Sequence, residues 1–139
     1  MSRYALDTDM LQLFQDGHPQ VVARVRVVPP EDRTISVVTV EEQLSGWYAQ
    51  LRQAKTAQKL AWAYRRLAAN VRFLSQIRIL DFDESAIQRY EQLKKRKLKI
   101  GRNDIRIAAT ALEHGAVLVT RNAKDFGQVP GLKIEDWSK

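Results

Sequence analysis

The chain has 139 residues, 45% of them hydrophobic, and carries 23 Lys and Arg against 16 Asp and Glu for a formal net charge of +7. That length suits one domain, residues 1–139, with a proper core, and is too short for two ordinary ones. The absence of cysteine excludes disulfides and thiolate metal sites and fits a reducing, cytoplasmic compartment. No apolar run approaches bilayer-spanning length, and the opening MSRYALDTDML, broken by Asp7 and Asp9, does not read as a signal peptide. The excess of positive charge points to an anionic partner, nucleic acid ahead of an acidic protein or a membrane surface.

In chain order, Tyr4, Ala5 and Leu6 form a short apolar strand that stops at Asp7-Thr8-Asp9. Met10, Leu11, Leu13 and Phe14 predict a helix closed by Asp16-Gly17. A second helix opens at His18-Pro19, with proline in its first turn. It carries Val21, Val22, Val25 and Val28 and ends at Pro29-Pro30. Residues 34–40, TISVVTV, are β-branched and predict a strand. The strand runs directly into a helix over 41–51, whose first-turn acids Glu41 and Glu42 suit the helix dipole.

Residues 56–75 form the longest helical stretch. Leu60, Tyr64, Leu67, Val71 and Leu74 recur at alternating spacings of four and three, a coiled-coil-like seam. Two readings stand level: core packing on the sheet, or a hairpin with the Trp47 helix that offers a groove to another chain. Residues 77–80 are the third strand. Asp83 then caps a helix that Ala86 and Ile87 enter.

That helix runs out in Lys94, Lys95, Arg96 and Lys97, with Lys99, Arg102 and Arg106 close behind. Cations at a helix end complement its dipole. Their place just before Asp104 adds a phosphate-tracking role.

The stretch 100–126 is the most informative. Gly101-Arg102-Asn103 is a turn before Asp104, and Ile105, Ala108, Ala109 and Leu112 recur at helical spacing. His114-Gly115 ends the helix. Residues 116–119, AVLV, are a buried parallel strand, and 120–125, TRNAKD, follow directly at its end. A last short strand, 132–134, comes after Pro130-Gly131, and Trp137 covers an edge. The order βααβααβαβ with a final short strand defines an α/β domain with a largely parallel sheet.

Asp7, Glu42 and Asp104 follow strand ends or open helices. Right-handed crossovers bring such positions to one edge of a parallel sheet, where ligands bind. The 120–125 turn reaches the same edge with Asn122 and Asp125. Singly, each acid reads as a cap or a dipole complement. Gathered in one cleft they repel, and desolvation sharpens the repulsion, so the set persists if cations neutralise it. All-oxygen ligands, with no Cys and no His in these turns, favour Mg²⁺ or Mn²⁺ over Zn²⁺. Such an ion beside cationic side chains suits hydrolysis of a phosphodiester. His18, before a proline, and His114, at a helix end, read as structural.

The segments YALDTDML, ISVVTVEEQLSG, IGRNDIRIAATALEHGAVLVTRNAKDF and VPGLKIEDW resemble the PIN-domain ribonucleases, specifically the VapC-type toxins of toxin–antitoxin pairs. The resemblance runs from the first strand to the C-terminus, and its most specific part is the IGRND–IAA–LVTRN–DF run. Motif by motif, the family's acids fall on Asp7, Glu42 and Asp104 as metal ligands, and its fourth position falls on Asn122, where many relatives carry Asp. Asp125 is the residue available to compensate. Asn103 and Thr120 take supporting hydrogen-bonding roles, and Asp9 stands where relatives often have Asn.

The resemblance implies a three-layer α/β/α fold with a five-stranded sheet ordered 3-2-1-4-5 and a helical hairpin. It also implies an endoribonuclease dependent on Mg²⁺ or Mn²⁺ that cleaves structured RNA (tRNA or rRNA) to 5′-phosphate and 3′-hydroxyl ends, a homodimer, and a VapB-like antitoxin held in a groove of the Trp47 and 60–74 helices. Lys94, Lys95, Arg96, Lys97, Lys99, Arg102, Arg106 and Arg121 are the candidate RNA contacts.

Two rival readings stand beside it. Asp7-Thr8-Asp9 after a first strand resembles the nucleophile and acid of haloacid-dehalogenase-type phosphatases. That family expects Thr or Val at the position of Leu11 and a later Lys motif that this chain does not present, and the chain is short for it. Asn122 leaves room for an RNA-binding PIN module with little or no turnover.

Overall fold

A computed structural model describes residues 2–139. Strand β1 (Arg3–Leu6) leads to helices α1 (Thr8–Gln15) and α2 (Pro19–Val27), and a 3₁₀ turn at Pro30–Asp32 returns the chain to β2 (Arg33–Ser36). Helices α3 (Val37–Gln53) and α4 (Ala57–Leu74) form a hairpin before β3 (Arg78–Leu80). Helices α5 (Glu84–Lys94) and α6 (Arg102–Glu113) then lead to β4 (Ala116–Val119), and the short α7 (Ala123–Phe126) to β5 (Ile134–Glu135). All four pairings are parallel and the order is β3-β2-β1-β4-β5. The third crossover holds both helices expected there, the one capped by Asp83 and the one through Ile105 and Leu112, although the summed order counted only one. A further short helix precedes β5, which begins two residues later than expected.

Most helix starts have a local cause. The side chains of Asp7, Ser36, Thr56, Asp83 and Asn122 each accept a backbone N–H of the helix they open, replacing bonds that a helix cannot make for itself. Pro19 occupies the first turn of α2. Helix α6 ends at His114, and Gly115, at φ +62°, makes the left-handed turn into β4, a conformation that favours glycine.

The expected strand over 34–40 is half helix. Val37, Val38, Thr39 and Val40 belong to α3 because Ser36 caps it, accepting the Val38 N–H at 3.0 Å. β-Branched residues lose little in a helix when packing rewards it, and Val38 and Thr39 are buried. Glu41 and Glu42 thus lie beyond the first turn, which holds no acid, so the dipole argument for them fails. Likewise Arg102 and Asn103, expected in a turn, are the first two residues of α6.

The sheet separates two cores. On one face Ala5, Leu118, Ile107, Ala108, Tyr90 and Phe126 pack under α5 and α6. On the other Leu6, Met10, Val21, Ile35, Val119 and Leu74 pack under α1 and α2. Trp137 belongs to this second core. It is fully buried with its ring 5.2 Å from that of Tyr4, and is more than an edge cover.

The predicted seam of α4 packs on the sheet only at its C-terminal end. Leu60, Tyr64 and Val71 are exposed, Leu67 is half-buried, and of the seam only Leu74 is fully buried in the core, joined by Ala63 and Asn70 from outside it.

Candidate active site

The parallel strands end together, and the order reverses between β1 and β4, the crevice where open α/β sheets bind ligands. Asp7 directly follows β1. Its N–H is tied to the Val119 carbonyl of β4 at 3.0 Å, and its Oδ1 accepts the Met10 N–H at 2.8 Å. Capping and sheet pairing thus fix this carboxylate at the crevice, with 6% of its surface exposed. Glu42 comes from the second turn of α3 and Asp104 from the first turn of α6. Asp7, Thr8, Asp9, Gln12, Glu42, Asp104, Asn122 and Phe126 line one cleft of about 460 Å³.

The acids are electrostatically uncomfortable there. Asp7 is pushed up from 3.8 to about 6, mainly by burial. The hydrogen bonds from Thr120 and Met10 oppose the rise, and the charges of Asp9 and Asp104 add to it. Asp104 is also raised, by burial first and then by Glu42 and Asp125. Burial and like charge both disfavour the ionised form.

Glu42 is held by hydrogen bonds. The Thr8 hydroxyl donates to its Oε1 and lies 3.1 Å from the Thr39 hydroxyl. The Asn103 amide donates to its Oε2 at 3.4 Å. Asn103 is itself turned by Arg106, which donates to Asn103 Oδ1 at 2.9 Å while its guanidinium sits 5.2 Å from the centre of the Tyr90 ring.

The remaining candidates divide by their contacts. Thr120 is buried and accepts the Asn122 N–H at 3.0 Å. Asn122 lines the cleft, caps α7, and donates from Nδ2 to Asp125 at 3.0 Å. Asp9, at the cleft mouth, is paired with Arg121 at 2.6 Å. Lys94 pairs with Glu91 and lies over Tyr90. Lys95, Arg96, Lys97, Lys99 and Arg102 are exposed.

Thr8, Thr39 and Gln12 were not singled out in the sequence, where a hydroxyl or amide on a helix carries no distinguishing pattern. The one available signal for Thr8 was its place between two acids.

Three carboxylates from distant segments, all-oxygen and free of Cys and His, are a donor set suited to a hard divalent cation. Among the described residues, no three acidic or imidazole side chains already converge tightly enough to form a finished cation cage. The Glu42 carboxylate is turned onto Thr8 and Asn103.

A parallel 3-2-1-4-5 sheet with this acidic crevice defines the PIN-domain class, and the PIN-domain family matches residues 4–132. The chain belongs to that family, within its VapC-type toxins. It is 30% identical over 138 residues to "Ribonuclease VapC1" of Haemophilus influenzae, covering 98% of each chain. It is 30% identical over 142 residues to the "tRNA(fMet)-specific endonuclease VapC" of Shigella flexneri, covering 99% of this chain and 100% of the other. It superimposes on a chain of the DNA-bound VapBC structure from Salmonella typhimurium with a TM-score of 0.79, at 27% identity and 99% coverage of both.

Proposed function

We propose that this chain is the ribonuclease toxin of a VapBC-type pair, dependent on Mg²⁺ or Mn²⁺ and acting in the cytoplasm. Asp7, Glu42 and Asp104 would hold the cation, and Asn122 would complete the site with a carbonyl oxygen. When bound, the cation supplies a Lewis acid for the phosphoryl group and an activated water. Thr8 and Asn103 orient Glu42, and Arg106 orients Asn103. Burial of Asp7 keeps bulk water from screening its charge. Lys95, Arg96, Lys97, Lys99 and Arg102 offer exposed positive charge for phosphates, which position RNA without reading its sequence.

The supporting observation is the shared cleft of Asp7, Glu42 and Asp104 at the sheet's switch point. The similar proteins named for ribonuclease or tRNA endonuclease activity support RNA as the substrate class, for which we favour a structured RNA, tRNA or rRNA. The VapBC structures make a small VapB-like antitoxin the partner.

The test compares wild type, Asp7→Ala and Asp104→Ala on cellular RNA, with Mg²⁺ or with EDTA. Wild type should cleave only with the metal, and each variant should lose more than the roughly 10–100-fold that removal of a metal site's outer partners typically costs. Undiminished cleavage by both variants would reject the assignment. RNA binding without cleavage under every condition would instead favour the non-catalytic module.

A further inference from the structure

Beside the acidic cleft, and sharing Thr8, Gln12 and Glu42 with it, lies a second cavity of about 320 Å³ walled by Trp47 and Trp62. The two rings meet edge to face with centroids 5.8 Å apart, and Trp62 is 46% exposed. We propose that this cavity is a nucleobase subsite, in which a base of the RNA next to the cleaved phosphate stacks on Trp62. The proposal rests on the ribonuclease reading above.

Four observations carry it. The first is continuity: Trp47 lies five residues beyond Glu42 on α3, about 7.5 Å along the helix, so a strand entering the cleft passes the indoles. Second, α4 presents Lys59, Arg65, Arg66 and Arg72 and no acid, and Arg66 lies 5.6 Å over the Trp47 ring. Aromatic faces beside positive charge are how proteins hold single-stranded nucleic acid.

Third, Gly46 lines the cavity from the middle of α3, where glycine weakens a helix. A Cβ there would meet no atom within 4 Å, so packing does not demand glycine. Its effect is to leave the floor open. Fourth, Gln12, Gln43 and Gln50 line the cavity with side-chain amides, groups that can both donate to and accept from the edge of a base. The other exposed apolar residues of α4, Leu60, Tyr64 and Val71, do not line this cavity, so the indoles stand among amides and positive charge rather than in a continuous apolar groove.

The test uses short single-stranded RNA oligonucleotides in EDTA, with affinity followed by anisotropy and stacking by tryptophan quenching. Trp62→Ala should bind at least about fivefold more weakly, whereas Trp62→Phe and the control Tyr64→Ala should bind as wild type. Gly46→Leu should weaken binding while leaving the helical circular dichroism intact. An oligonucleotide with one abasic position, walked along the chain, should at one position bind wild type as weakly as Trp62→Ala and show no further loss with that variant. With Mg²⁺, Trp62→Ala should raise KM more than it lowers kcat.

Wild-type cleavage together with Trp62→Ala and abasic affinities equal to wild type would overturn the subsite alone. So would loss in Trp62→Ala of binding to the antitoxin's C-terminal peptide with RNA affinity unchanged, which would make the cavity a peptide site. Failure of wild type to bind or cut any RNA would defeat the ribonuclease reading itself.

Discussion

The acidic cleft and the basic rim after α5 carry charge of opposite sign in opposite ways. Asp7 is buried and Asp104 half-buried at one cleft, and both are raised in pKa. Lys95, Arg96, Lys97, Lys99 and Arg102 stand in solvent. Concentrated, desolvated charge works against the fold and is held by caps and strand pairing. Dispersed, hydrated charge makes little difference to the fold and remains available to a ligand. The cleft is therefore where stability and function oppose each other, and substitutions there should reveal it.

The largest expected effect follows from Asp7. Its carboxyl titrates at 3.8 unfolded and about 6 folded, so the folded state binds the proton more tightly. The ionised form then costs about 3 kcal/mol. This penalty is fully present above pH 6, fades as pH falls from 6 to 4, and vanishes below; Asp104 shifts in the same direction. Metal-free protein should gain thermal stability as pH is lowered from 7.5 toward 5. Asp7→Asn should be more stable than wild type at pH 7.5 by up to that amount while being inactive. Scanning calorimetry in EDTA across this range checks both, and a destabilised Asp7→Asn would break the contrast.

Next comes the support of Glu42. Asn103→Ala removes the donor to Glu42 and the acceptor of Arg106. Outer partners of a metal site are typically worth about 10–100-fold in activity, and a loss of that size is expected with the fold intact. Arg106→Lys keeps the charge but loses the planar group over Tyr90, and should fall between Asn103→Ala and wild type in single-turnover cleavage.

The smallest effects belong to the rim. Replacing Lys95 or Lys97 by Gln should weaken RNA binding by a few-fold at low salt. If the residue touches a phosphate, the slope of log K against log salt should flatten by about 0.7. Melting temperature should be unchanged, because exposed charges contribute little to stability.

Much of the fold was legible. The strand at Tyr4, the cap at Asp83, the stop at His114-Gly115 and the run at 116–119 are short-range signals that the structure repeats. The error at 37–40 came from reading β-branched residues by preference alone, when one capping serine and two buried positions decide the matter. Of the two readings of the α4 seam, core packing holds only at Leu74, while the hairpin with the Trp47 helix is present. The seam's periodicity is real, yet periodicity does not say which face meets the protein, and along α4 Ala63 and Asn70 take the buried positions with Leu74 alone of the seam.

In the cleft, the topology rule placed Asp7 and Asp104, while Glu42 reaches it from the second turn of α3 and not from the strand end or helix start expected of it. The tether from Thr8 and Asn103 to Glu42, and the role of Arg106 behind Asn103, depend on side-chain directions across 34 and 61 residues of sequence. No local pattern encodes those directions. Arg106, expected to contact RNA, is for this reason better placed as a positioning residue.

The most direct test of the shared cleft is Mn²⁺ binding at pH 7.5, followed by electron paramagnetic resonance in wild type, Asp7→Asn, Glu42→Gln and Asp104→Asn. The account predicts saturable binding in wild type and marked weakening in each of the three variants, because one ion draws on all three acids. Binding in all three variants equal to wild type would contradict it.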